Sequence, residues 1–207
     1  MPLLDHLNDF RNSVSDAEAL IVSAHLSDNT GNPLWRTGEV QTITQAAFVK
    51  FFIAWESFLE RTLADYMRGE PSAAGSVLTR FASPTDHAHA LKILIGTQKY
   101  VDYSNPEIVR KLAGLYLDNG GPFETVLSAV NIQLFDLKTI RNAAAHLSST
   151  TTKQLDSLAS RKLGPPRSGV TVYDLITSVD PSSSTGDTIL RTYISELDAA
   201  AYAIVHA

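Results

Sequence analysis

Between residues 48 and 66 the sequence sets Phe48, Phe51/Phe52, Trp55, Phe58/Leu59, Leu63 and Tyr66 three or four residues apart. That interval returns each side chain to the same side of an α-helix, so the segment predicts a helix with one heavily aromatic face, stopped by Gly69 and Pro71. So much aromatic surface has to be buried, in a core or in a dimer seam. The same interval recurs at Leu3/Leu4, Leu7, Phe10, Val14, Ala17, Ile21 and Ala24, predicting a first helix that ends near Asp28. A loop over Asp28 to Gly38 follows, marked by Asn29, Gly31, Asn32 and Pro33. Shorter helices are expected at about Thr85 to Thr97 and Pro106 to Leu117, then a turn at Asp118-Asn119-Gly120-Gly121-Pro122. Phe123, Val126/Val130, Leu134, Leu137 and Ile140 predict another long helix, and Ile189 to Val205 a last one; Pro165-Pro166 and Pro181 to Gly186 read as breaks. Only Gly169 to Tyr173 hints at a strand. The expected class is all-α: a helical bundle with long antiparallel helices and an additional C-terminal helix.

Composition narrows function more than fold. The 207 residues fit a single domain spanning 1–207, and 44% hydrophobic with 19% charged residues is the balance of an ordinary globule. With no cysteine, a disulfide framework, a thiolate metal site and a cysteine nucleophile are all excluded. The first ten residues carry Asp5 and Asp9 without a basic cluster, and no apolar run reaches the roughly 18 residues of a membrane span, so a cytoplasmic location and no membrane association are expected. A net charge of −5 argues against a general nucleic-acid coat but leaves room for a local basic groove.

The chemistry-bearing segment is Arg141-Asn142-Ala143-Ala144-Ala145-His146, near the end of the helix that starts at Phe123. Only alanines separate its polar members, and small residues clear space around large polar ones. At about 100° per residue, Arg141 falls within the Leu134/Leu137 stripe, so its cation has to be paired or led out to a cleft. An arginine that snorkels to the surface or binds a buried carboxylate satisfies that geometry equally well. Asn142 and His146 share another face, roughly with Phe135, and two polar faces on one helix suit a symmetric dimer. A lone histidine is usually an ordinary residue. Beside a cation, its ordinary pKa of about 6.5 suits proton transfer at neutral pH. Cleaving RNA through its own 2′-hydroxyl needs a base, an acid and a positive group for the charge developing on phosphorus. His146, the same histidine of a second copy, and Arg141 can supply these without metal.

Arg-Asn-x-x-x-His closing a long helix, in an all-α chain whose earlier helix reads Trp55-Glu56-Ser57-Phe58-Leu59-Glu60, resembles the HEPN superfamily (higher eukaryotes and prokaryotes nucleotide-binding). The resemblance covers a helical core of about residues 40–150, leaving about 151–207 as a C-terminal elaboration. It implies that Arg141, Asn142 and His146 form the active site of a metal-independent endoribonuclease without cofactor. It also implies a homodimer with one composite cleft, products ending in 2′,3′-cyclic phosphate and 5′-hydroxyl, and a setting in toxin–antitoxin or antiphage defence, where an antitoxin protein would be a partner. A carboxylate on the aromatic helix often completes such sites. Glu56, bordering the aromatic stripe, matches better than Glu60, which is expected to turn further toward solvent. Two alternatives stand beside the enzyme: a non-catalytic HEPN-like module that binds nucleotide or RNA or only dimerises, and a structural helical adaptor.

An acidic protein that holds RNA needs local positive charge, and Arg161, Lys162 and Arg167 cluster beside Pro165-Pro166 as candidate phosphate contacts, against the plainer reading of a solvated loop. Asp86-His87-x-His89 superficially suggests a metal site, but histidines two apart on a helix point nearly opposite ways, so no metal is expected. His6, His25 and His206 read as surface residues.

Overall fold

The computed structural model describes every residue except Leu147, and its described residues form nine α-helices: α1 Pro2–Ala24, α2 Thr37–Arg68, α3 His87–Ile95, α4 Pro106–Tyr116, α5 Gly121–Ala129, α6 Asn131–Ala145, α7 Ser149–Leu163, α8 Val172–Thr177 and α9 Ile189–Val205. There is no strand among them, only isolated bridges such as Ser27 with Pro33, so the protein is all-α as its periodicity predicts. The chain divides into two compact units, each drawn from separated stretches: residues 1–11, 54–135 and 196–207 in the first, 12–53 and 136–195 in the second.

In the first unit the aromatic face of α2 does what its spacing predicts. Trp55, Phe58, Leu59, Leu63 and Tyr66 are buried; Trp55 stacks on Phe58, Phe10 meets Trp55 edge-on, and Tyr66 packs edge-on against Phe123. The Tyr66 hydroxyl donates to the carbonyl of Ile204, and the Ala73 amide donates to that of Val205, so α9 is fastened to the end of α2. Helix α2 stops where Gly69 takes φ +87°: the Gly69 amide returns to the Tyr66 carbonyl and the Glu70 amide to that of Asp65, satisfying the last turn. Helix α3 starts on Asp86, whose side chain accepts from the His89 amide, and α4 on Asn105, with Pro106 as its first residue. The single long helix expected from Phe123 onward is instead two, α5 and α6, parted at Val130. Both pieces share one apolar rhythm, which hides the break: Phe123 and Leu127 are buried before it, Leu134 after it.

In the second unit Phe48, Phe51 and Phe52 of α2 are buried, as are Val14 and Ala17 of α1, Leu137 and Ile140 of α6, and Leu175 and Ile176 of α8. Sequence periodicity misses α7. Its first turn is Ser-Thr-Thr-Thr, poor helix formers, and few apolar residues are buried from it: Leu155, Leu158 and Ala159. What starts α7 is a reciprocal cap in which the Thr151 amide donates to the Ser148 hydroxyl and the Ser148 amide to Thr151 Oγ1. The suspected strand at Gly169 to Tyr173 is corrected in the same way: Thr171 and Asp174 form a second such cap, and the β-branched residues around it open α8. Asp136 is 3% exposed; it accepts from the Tyr193 hydroxyl at 2.8 Å and pairs with Arg161 and with Lys162 at 3.7 Å.

Candidate functional site

The last turn of α6 carries Arg141 and Asn142, both half-buried, with Ala143 packed inward. The helical ladder continues one residue beyond α6, because the His146 amide donates to the Asn142 carbonyl at 2.9 Å. This fixes Asn142 and His146 one turn apart, as their spacing predicts. Arg141 Nη1 donates to Asn142 Oδ1 at 3.3 Å, so the carboxamide steadies the guanidinium at the helix end. The histidine is then held by its backbone from the other side. Thr151 Oγ1 donates to the His146 carbonyl at 2.7 Å, tying the corner between α6 and α7 to the cap that starts α7. His146 is exposed, and among the described residues its ring has no hydrogen-bond partner. A cation and an unspent imidazole at one open helix end can bind a phosphate and move a proton.

Beside this corner lies a groove of about 760 Å³, bounded by Ala143, Ala144 and Ala145 on one side and by the first turns of α2, the start of α7 and the entry to α8 on the others. Gln45 spans it, its Nε2 donating to the Ala144 carbonyl at 2.9 Å and so satisfying one of the exposed carbonyls at the end of α6. Tyr173 forms part of the lining, its ring stacked at 6.4 Å on that of His25. Sequence reading passed over Gln41, Gln45 and Tyr173. The four-residue step between the glutamines was the one signal present, and it is too common in helices to single out a site.

Arg161 and Lys162 are bound to Asp136, and Lys162 also lies 4.8 Å from the centre of the Tyr193 ring; the Arg161 side chain stays exposed while Lys162 is half-buried. The Asp136 carboxylate raises the Arg161 pKa through its hydrogen bond. Arg167 is exposed on the loop after α7. Glu56 belongs to the first unit and is half-buried. Glu60, expected to face solvent more fully, is half-buried as well. Burial, with Glu60 adding to it, pushes the Tyr103 hydroxyl up.

One histidine reading is overturned. His6 is 7% exposed rather than on the surface, because Asp65, itself 3% exposed, offsets its burial with a 2.7 Å hydrogen bond to Nε2. Asp65 also takes His87 Nδ1 at 3.1 Å and Arg68 Nη1 at 2.9 Å. Burial alone would raise the Asp65 carboxyl, but the hydrogen bonds from His6, His87 and Arg68 outweigh it and hold the pKa at about 2. In the Asp86-His87-x-His89 segment, then, His87 turns to Asp65 while the ring of His89 faces Thr85. Among the described residues no group of histidine and acidic side chains could hold a metal ion, and no helix is long and apolar enough to cross a membrane.

No family model, no curated protein and no solved structure matches this chain. The chemistry of the corner between α6 and α7 therefore carries the functional argument.

Proposed function

We propose that the protein is a metal-independent endoribonuclease of the HEPN type, acting as a homodimer. The observation that carries this reading is the exposed His146 imidazole, without a partner among the described residues, at the same helix end as the half-buried Arg141 guanidinium. In this reading one His146 takes the proton of the RNA 2′-hydroxyl and the 2′-oxygen attacks phosphorus. The bond from phosphorus to the 5′-oxygen then breaks, and the leaving oxygen receives a proton from the same histidine of the second copy. Arg141 neutralises the charge that develops on the phosphoryl oxygens, and Asn142 keeps it aimed. The products are a 2′,3′-cyclic phosphate and a 5′-hydroxyl. A dimer is required because the transfer needs an acid and a base at once, and the site offers one imidazole per chain.

The resemblance adds three roles to this reading. Glu56 is a positioning residue, and Arg167, with whatever charge Arg161 and Lys162 leave to solvent, grips phosphates along the strand. The setting is a cytoplasmic toxin or defence nuclease restrained by an antitoxin protein. Reversing Arg167 alone is the cleaner test of the basic cluster, since reversing Arg161 also removes one partner of the buried Asp136; weaker RNA binding with a shallower salt dependence is expected. Glu56→Gln is expected to lower cleavage in a folded dimer, and full activity would remove it from the mechanism.

The deciding experiment incubates wild type and His146→Ala with total cellular RNA in EDTA and reads the fragment ends. Cleavage by wild type alone with cyclic-phosphate ends is expected. Intact RNA from a folded wild-type dimer, or equal cleavage by both proteins, overturns the reading.

A further inference from the structure

The groove beside α6 differs from the catalytic corner in one respect that decides what it can hold. Among the described residues that line it, none is acidic, basic or histidine, and Tyr173 alone can ionise. A phosphate would find no counter-charge there, so the groove is unsuited to the backbone of a nucleic acid. Its volume of about 760 Å³ falls within the range of small-ligand sites, roughly 300–1,000 Å³. Its walls are Val49, Leu155 and Val172, and its polar atoms come largely as carboxamides and hydroxyls.

Two of those groups are placed to read a planar heterocycle. Gln41 and Gln45 stand four residues apart on one face of α2, and both are half-buried. Gln45 spends its Nε2 on the Ala144 carbonyl, which holds its Oε1 in a fixed place as an acceptor; among the described residues the Gln41 carboxamide has no hydrogen-bond partner, leaving donor and acceptor together. A carboxamide of that kind pairs bidentately with the edge of a base. Tyr173 adds an aromatic face already braced by His25, which suits stacking of an unpaired base. The groove also starts at Ala143, Ala144 and Ala145, the three residues that separate Asn142 from His146. Such small residues along one side of the groove leave room for a flat ring.

We propose that this groove receives one unpaired base of the RNA, next to the phosphate at His146, and sets the base preference of cleavage. The choice of ligand rests on the endoribonuclease reading; the geometry of the groove does not. Gln41 and Tyr173 are the specificity residues, and Gln45 is a positioning residue that shapes the wall.

Two measurements on the full chain test this. The first titrates the four free nucleosides into wild type, Gln41→Ala, Tyr173→Phe and Tyr173→Ala by nuclear magnetic resonance. One nucleoside is expected to bind in preference to the others, with binding kept by Tyr173→Phe, weakened about tenfold by Gln41→Ala and lost in Tyr173→Ala. The second measures cleavage of short single-stranded RNAs that differ in one base beside the cleaved bond. Wild type is expected to discriminate among them, and Gln41→Ala to lose about tenfold of that discrimination while still cleaving. Gln41 lies on the surface turns of α2, so its variant keeps the test valid if Tyr173→Ala fails to fold. No nucleoside binding at millimolar concentration, or binding and preference untouched by Gln41→Ala and by a folded Tyr173→Ala, overturns the proposal. Nucleoside binding by a protein that cleaves no RNA overturns the nuclease reading and leaves the base groove standing.

Discussion

Asp65 and the corner after α6 use nearly the same side-chain types for opposite ends. Around Asp65, two histidines and an arginine converge on one carboxylate buried in the first unit, and its hydrogen bonds are made within the protein. At Arg141, Asn142 and His146 the guanidinium is steadied by Asn142, and among the described residues the exposed His146 ring has no hydrogen-bond partner. The first cluster ties α1, α2 and α3 together through Asp65; the second leaves an imidazole exposed just beyond α6. Residue type therefore says little about role until the hydrogen-bonding capacity left over has been counted.

The contrast can be broken most sharply at His146. His146→Ala is expected to lower RNA cleavage by about 10²–10⁴-fold with an unchanged melting temperature, read from fragment yields and thermal denaturation. The reverse pattern is expected for Asp65→Ala, which leaves His6, His87 and Arg68 facing an emptied, largely buried site. It should cost about 3 kcal/mol of stability in urea titrations while the folded fraction still cleaves RNA. If either variant shows the other's signature, the division between a structural and a functional cluster fails.

Acid sharpens the comparison further. With its folded pKa at about 2 and an unfolded value of about 4, Asp65 contributes stability that is complete above the unfolded value and is lost as pH falls toward 2. That contribution is about 2 kcal/mol, and Asp65→Asn should flatten the loss of stability between pH 4 and 2. A steep acid transition that persists in Asp65→Asn would assign it to other groups. At the end of the same helix, Gly69→Ala is expected to cost about 1–2 kcal/mol, since φ +87° is strained for any side chain and the new methyl would meet the Arg80 guanidinium. The smallest effect is expected at the other cluster's support: Ser148→Ala removes the cap of α7 for about 1 kcal/mol. It should also lower cleavage modestly, because Thr151 anchors the His146 carbonyl through that cap.

How much of this could be read beforehand depends on the range of the interactions involved. The aromatic face of α2 and the span of α9 are legible because burial is periodic along a helix, and α9 runs from Ile189 to Val205 as its apolar residues predict. Helix α7 was not legible, because capping by Ser148 and Thr151 replaces apolar rhythm as the reason it starts. The one-turn relation of Asn142 and His146 follows from helical geometry alone. By contrast, Asp65 meets His6 across 59 residues and His87 across 22, and local spacing carries no trace of either. The groove has the same character: Gln45 reaches Ala144 across 99 residues.

The fastening of α9 to α2 has a consequence for how the protein is made. Arg11 awaits Asp198 for its paired bonds of 2.6 and 2.9 Å, and the Tyr66 hydroxyl awaits the Ile204 carbonyl. A chain emerging from the ribosome exposes the aromatic face of α2 well before residues 196–207, which complete the unit around it, have been synthesised. The first unit therefore closes only once residues 196–207 have emerged, and until then the nascent chain carries sticky aromatic surface, the condition under which chaperones are needed.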